Sequence, residues 1–107
     1  MSTIFAGGSR SITRLSEHAL QRITNIITNK HRVIVGDAAG ADTVIQQHLL
    51  AADYRDVEVF CSGPHFRNNL GNWPTHHIRP PREAAGFQFY AANDRAMAEA
   101  ADFGLMI

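Results

Sequence analysis

The sequence is short of several things, and each shortage removes a class of protein. It has no excess charge of either sign: ten Lys and Arg balance ten Asp and Glu. A protein that coats duplex nucleic acid needs a basic footprint, and this chain has none in its overall balance. There is one cysteine, Cys61, so an intrachain disulfide is excluded, and a reducing cytoplasm is the expected location. No apolar run approaches the roughly 18 residues of a membrane span. The N-terminus, MSTIFAGGSR, lacks the charged and then apolar pattern of a secretory signal. There is no repeat, no low-complexity tract and no linker, so residues 1–107 are read as one domain. A near-neutral chain has little self-repulsion, which suits a homo-oligomer.

What is present alternates. Thr3 to Ala6 is a short apolar run closed by Gly7-Gly8 and predicts a buried strand. Ile12, Leu15, Ala19, Leu20, Ile23, Ile26 and Ile27 recur at three- and four-residue steps. That stripe predicts a helix from about Thr13, acting as N-cap, to Thr28. Arg32 to Val35 predicts a second strand. Ala41, Val44, Ile45, His48, Leu49 and Ala52 predict a second helix, and Val57 to Cys61 a third strand. Residues 62–85 gather prolines, three of the six histidines and the only tryptophan. They predict a long functional loop with a short extended piece at Thr75 to Ile78. A third helix is expected from Gly86 or Phe87 to Ala100, and a last strand from Phe103 to Ile107. This alternation predicts an α/β, three-layer, Rossmann-like domain with a mostly parallel sheet of four to five strands. A covering helix usually follows a core strand, so a further C-terminal segment, or one lent by a partner, is expected.

Two glycine-marked turns lie at expected strand-to-helix junctions. Ligands of open parallel sheets sit beyond the carboxyl ends of the strands. In the first turn, Gly7 and Gly8 let the backbone approach a ligand closely, Ser9 offers a hydroxyl and Arg10 a planar fork for phosphate. The second turn, Gly36-Asp37-Ala38-Ala39-Gly40-Ala41-Asp42, carries two acids. Asp37 fits a ribose hydroxyl; Asp42 fits the positive end of the second helix. In RNNLGNW, Arg67 and Asn68 are assigned to the ligand and Trp73 to the core. The turn is not GxGxxG, so dinucleotide binding of the NAD type is not expected. Cys61, His65, His76 and His77 lack the paired spacing of zinc modules, so no metal and no cofactor is expected. Cys61 has only His65 near it in sequence, and no Gly-x-Ser-x-Gly elbow exists, so nucleophilic catalysis is not expected. Asp94 stands on the apolar stripe of the third helix, where a carboxylate needs a partner or a ligand.

These segments together resemble a known group. The Gly8-Ser9-Arg10 turn, VGDAAGAD, RNNLGNW and Tyr90-x-x-x-Asp94-x-x-Met97 followed by ADFGLMI resemble the SLOG superfamily, over essentially the whole chain. That superfamily includes the Lonely-Guy phosphoribohydrolases and DprA-type proteins, and the small YspA-like bacterial and phage proteins are most similar. The resemblance implies a Rossmann-like domain that binds or senses a nucleotide or nucleotide-derived phosphorylated ligand. It assigns Gly8, Ser9 and Arg10 to one ligand loop, Gly36, Asp37, Gly40 and Asp42 to a second, and Arg67 and Asn68 to a polar element beside the pocket. The glycine-rich PGGxGTxxE segment of the Lonely-Guy enzymes, with its catalytic glutamate, does not occur in residues 1–107. A binder rather than an enzyme is therefore expected. The alternatives are a nucleoside-monophosphate N-glycosidase and a DprA-like single-stranded DNA accessory protein.

Overall fold

The computed structural model describes residues 2–63, 65, 67–78 and 95–107. Five strands form one sheet: β1 (Thr3–Gly7), β2 (Arg32–Gly36), β3 (Val57–Ser62), β4 (Thr75–Ile78) and β5 (Phe103–Met106). Their order is β4-β3-β2-β1-β5, and every pairing is parallel. The expected α/β Rossmann-like architecture is thus present, with the fifth strand supplied by the Thr75–Ile78 piece. The chain steps outward from β1 to β4 and then returns to the other flank of β1. Strand order therefore reverses between β1 and β5.

Helices α1 (Glu17–Thr28) and α2 (Ala41–Ala51) join β1 to β2 and β2 to β3. A helix of α1 length is marginal alone in water, so its apolar stripe must be buried for it to persist. Alternation along each strand sends Ile4, Ala6, Val33, Val35, Val57, Val59 and Leu105 to one face. There they meet Ile23, Ala41, Ile45, Leu49 and Trp73 in the main core. Ile34 and Phe60 point the other way and meet Met97 of a third helix, described over residues 95–100. Truncating a fully buried Ile45 or Leu49 to Ala removes contacts that typically contribute about 2–5 kcal/mol. Most of the expected third helix, including Phe87, Tyr90 and Asp94, lies outside the described residues.

The start of α1 differs from the expectation. Its N-cap is Ser16, not Thr13: the Ser16 hydroxyl accepts from the Ala19 N–H at 3.1 Å, and Glu17 opens the first turn. Ile12 and Leu15 still pack on the core, but from the connecting loop. Periodicity counted them as helical because apolar contact and helical geometry give the same spacing over one turn. Both helices end alike. After α1, Lys30 adopts φ 58° while the N–H groups of Lys30 and His31 bond back to Ile27 and Ile26. After α2, Asp53 does the same at φ 51°, with Asp53 and Tyr54 bonding to Leu50 and Leu49. This is the left-handed Schellman closure, built here without glycine. No helix among the described residues is long and apolar enough to cross a membrane.

Candidate functional site

The two glycine-marked turns meet. The Ala41 N–H, first in α2, donates to the Ser9 carbonyl at 2.9 Å. Gly40 is the N-cap of α2, with φ 82° and ψ −129°. A Cβ there would sit 2.3 Å from the Arg10 carbonyl oxygen. Glycine is required at 40 on both counts, conformation and contact. The turns therefore open on one edge, at the carboxyl ends of β1 and β2 and beside the reversal of strand order.

The chain's own side chains fill the space over the strand glycines, Asp42 over Gly36 and the Phe5 ring over Gly7. A Cβ on Gly36 would lie 2.4 Å from Asp42 Oδ2, and one on Gly7 would lie 3.7 Å from Oδ1. The same carboxylate accepts from the Ala38 N–H at 3.1 Å. Gly8 is exposed, but an added Cβ would meet the Ile107 carbonyl at 2.5 Å. Ser9 and Arg10 are exposed on the rim, and the Ser9 hydroxyl contacts the Ser11 hydroxyl at 2.8 Å.

Asp37 has another partner. Its side chain is buried, and both carboxylate oxygens are taken by Arg67. The Arg67 N–H reaches Oδ2 at 2.8 Å, and Nη2 reaches Oδ1 at 2.7 Å. Asn68 Nδ2 donates to the Asp37 carbonyl at 3.1 Å. Asp37, Arg67 and Asn68 are thus brought together as a clasp between β2 and the 67–73 loop. Gln46 completes it: its Nε2 donates to the carbonyls of Gly36 (2.9 Å) and Asn68 (3.3 Å), and its Oε1 accepts from the Leu70 N–H (2.9 Å). Sequence reasoning missed Gln46, because a glutamine in mid-helix carries no mark of burial. Trp73 is in the core as expected, its Nε1–H donating to the Tyr54 carbonyl at 2.8 Å.

A second missed pairing lies one strand over. β3 and β4 register Cys61 against His77, and Sγ lies 3.2 Å from Nδ1. The geometry assigns the ring's protons. Nδ1 is 3.0 Å from the Gly63 carbonyl, which only accepts, so Nδ1 carries hydrogen. Nε2 faces the Thr75 hydroxyl at 3.1 Å. With its hydrogen on the Gly63 carbonyl, Nδ1 has no lone pair free to draw the proton from the thiol. Burial raises the Cys61 pKa, the nearby Asp37 carboxylate raises it further, and Arg67 offsets part of that. A neutral, buried thiol is a poor nucleophile. His76 points to the opposite face, stacked on Phe60 at 4.4 Å and 3.4 Å from Glu58. Among the described residues no group of three or more His, Cys, Asp or Glu is placed to hold a metal.

The fold and this edge define an α/β domain of Rossmann-like topology with two apposed βα turns. No protein-family model, curated protein or solved structure matches the chain.

Proposed function

We propose that this domain binds or senses a nucleotide or nucleotide-derived phosphorylated ligand at the carboxyl edge of its sheet. The observation that carries the reading is the Ala41–Ser9 contact, which sets the two glycine turns side by side where strand order reverses. That is the position at which open α/β sheets take their ligands. In this reading the backbone of residues 8–10 and the N-terminus of α2 face the phosphate, and Ser9 and Arg10 add a hydroxyl and a charge. The ribose role passes from Asp37 to Asp42. Asp37 is held by Arg67; the Asp42 carboxylate, which accepts from the Ala38 N–H, stands against Gly36 at the same edge. Asp37, Arg67 and Asn68 then shape the site by holding its neighbouring loop. A homo-oligomer acting in the cytoplasm goes with this reading.

Calorimetry with a panel of nucleoside mono- and diphosphates tests it. The parent should bind at least one member, and Arg10→Ala should lose about 1.5–3 kcal/mol of that affinity, the scale of a charged hydrogen bond. No heat with any nucleotide, or equal affinity in the variant, counts against the site as drawn. Release of free base from the monophosphates would instead favour the N-glycosidase.

A further inference from the structure

We infer that Ser62 reads the base of the nucleotide, from the third-helix face of the sheet's carboxyl edge. The inference rests on the ligand reading above and adds where the base lies and what recognises it. Asp37, Gln46 and Ser62 are the buried polar or charged residues among those described. Asp37 and Gln46 are bonded to the 67–70 loop. The Ser62 hydroxyl, in a residue only 4% exposed, has no hydrogen-bond partner among the described residues. A hydroxyl brings one donor and two acceptor sites, and folded proteins seldom bury one with all of them unused. Burying it that way lowers the stability of the chain, so such an orphan marks a position where function outweighs packing.

The hydroxyl stands where the reading needs a base contact. Residues two apart on a strand share a face, so Ser62 lies with Phe60 and Gly36 with Ile34. Ile34, Phe60 and Met97 form one cluster, so all of these positions are on the third-helix face. β2 and β3 register Gly36 against Phe60. Ser62 is two residues farther along the neighbouring strand, about 8 Å from Gly36 at ordinary strand spacing and rise. The Asp42 carboxylate, which takes the ribose in this reading, stands against Gly36. From there to Ser62 is the reach of a nucleoside, from sugar hydroxyl to base edge. The surroundings are apolar. Ile78 pairs with Ser62 across β4, and the Met97 methyl lies 3.4 Å from where a Gly36 Cβ would be. A flat ring with a polar edge matches an apolar wall carrying one hydroxyl. A second sugar or phosphate would leave its own polar groups unpaired there. Met97 has three rotatable bonds and a polarisable thioether, so it can turn from the bare Gly36 and lie against the ring.

Calorimetry and urea unfolding of Ser62→Ala test this together. The parent and the variant are titrated with the common ribonucleoside monophosphates. The parent should prefer one base, and the variant should bind that nucleotide about three- to tenfold more weakly, the effect of one hydrogen bond. Its ratio of best to worst base should fall toward one. Arg10→Ala, which acts on the phosphate, should weaken every nucleotide by a similar factor and keep that ratio. Without nucleotide, Ser62→Ala should unfold at a higher urea concentration than the parent, because it no longer buries an unpaired hydroxyl. A parent without base preference, a variant that keeps the preference, or a variant with a lower urea midpoint, as loss of a buried water contact would give, each overturns the inference and leaves the ligand reading standing. A parent that binds no nucleotide overturns both.

Discussion

Arg67 grips Asp37 twice, once through its backbone and once through its guanidinium, and so ties a loop 30 residues away in sequence to the end of β2. The arginine side chain is about one-third exposed and the carboxylate is buried. Cutting the side-chain half of the grip leaves the buried carboxylate with the backbone donor alone. Arg67→Ala should cost about 1.5–3 kcal/mol in urea unfolding, the range for a hydrogen bond to a charged group. Adding Asp37→Ala should then cost much less than it does in the parent, giving a coupling energy of at least roughly 0.5 kcal/mol between residues in contact. Strict additivity would mean that the pair holds nothing together.

Gly40 is the pivot between the two turns. An alanine there would need an unfavourable backbone at φ 82° and would press on the Arg10 main chain. The two penalties together should come to about 2–5 kcal/mol, strain plus overpacking. Thermal unfolding of Gly40→Ala checks this, and hydrogen exchange should show lost protection at Ala41, whose N–H holds Ser9. An alanine variant as stable as the parent would mean that the turns are not in contact.

A partly buried phenol and a buried thiol set an alkaline limit. Burial raises the pKa of Tyr54 above its ordinary 10.0, with Asp56 adding to the effect, and raises Cys61 above its ordinary 9.0 in the same direction. The folded chain therefore holds these protons more tightly than the unfolded one. Their contribution to stability is complete below the ordinary values and is lost as pH rises through the raised ones. Denaturation midpoints should fall first above pH 9.0 and more steeply above pH 10.0. Tyr54→Phe should be less stable at neutral pH, since it loses the hydroxyl bond to the His31 carbonyl, worth about 1 kcal/mol. It should also be less sensitive to alkali. An equal slope in the variant would remove Tyr54 from this limit.

The linear order of elements was legible because it rests on local periodicity. Short apolar, β-branched runs and apolar steps of three and four located the elements to within a few residues. Local rules also explain the misplaced start of α1, where the Ser16 cap won over an apolar stripe that continues into the loop. The glycines were read as positions for a ligand's close approach, and Gly40 also for a positive φ, which it has. What approaches them was not legible. At Gly40 it is the other turn, and at Gly36 it is the Asp42 side chain.

The sequence by itself determined a parallel α/β sheet, its βα turns and a tryptophan plug, because each follows from residues near one another in the chain. Only the tertiary structure decided the partners: Arg67 for Asp37, Gln46 for the 67–70 backbone, His77 for Cys61. Those pairings span 30, 24 and 16 positions. They are set by strand register and by how a loop folds over a sheet edge, neither of which is encoded in local spacing. A carboxylate reads the same in a sequence whether it faces a ligand or an arginine of its own chain; packing makes the choice.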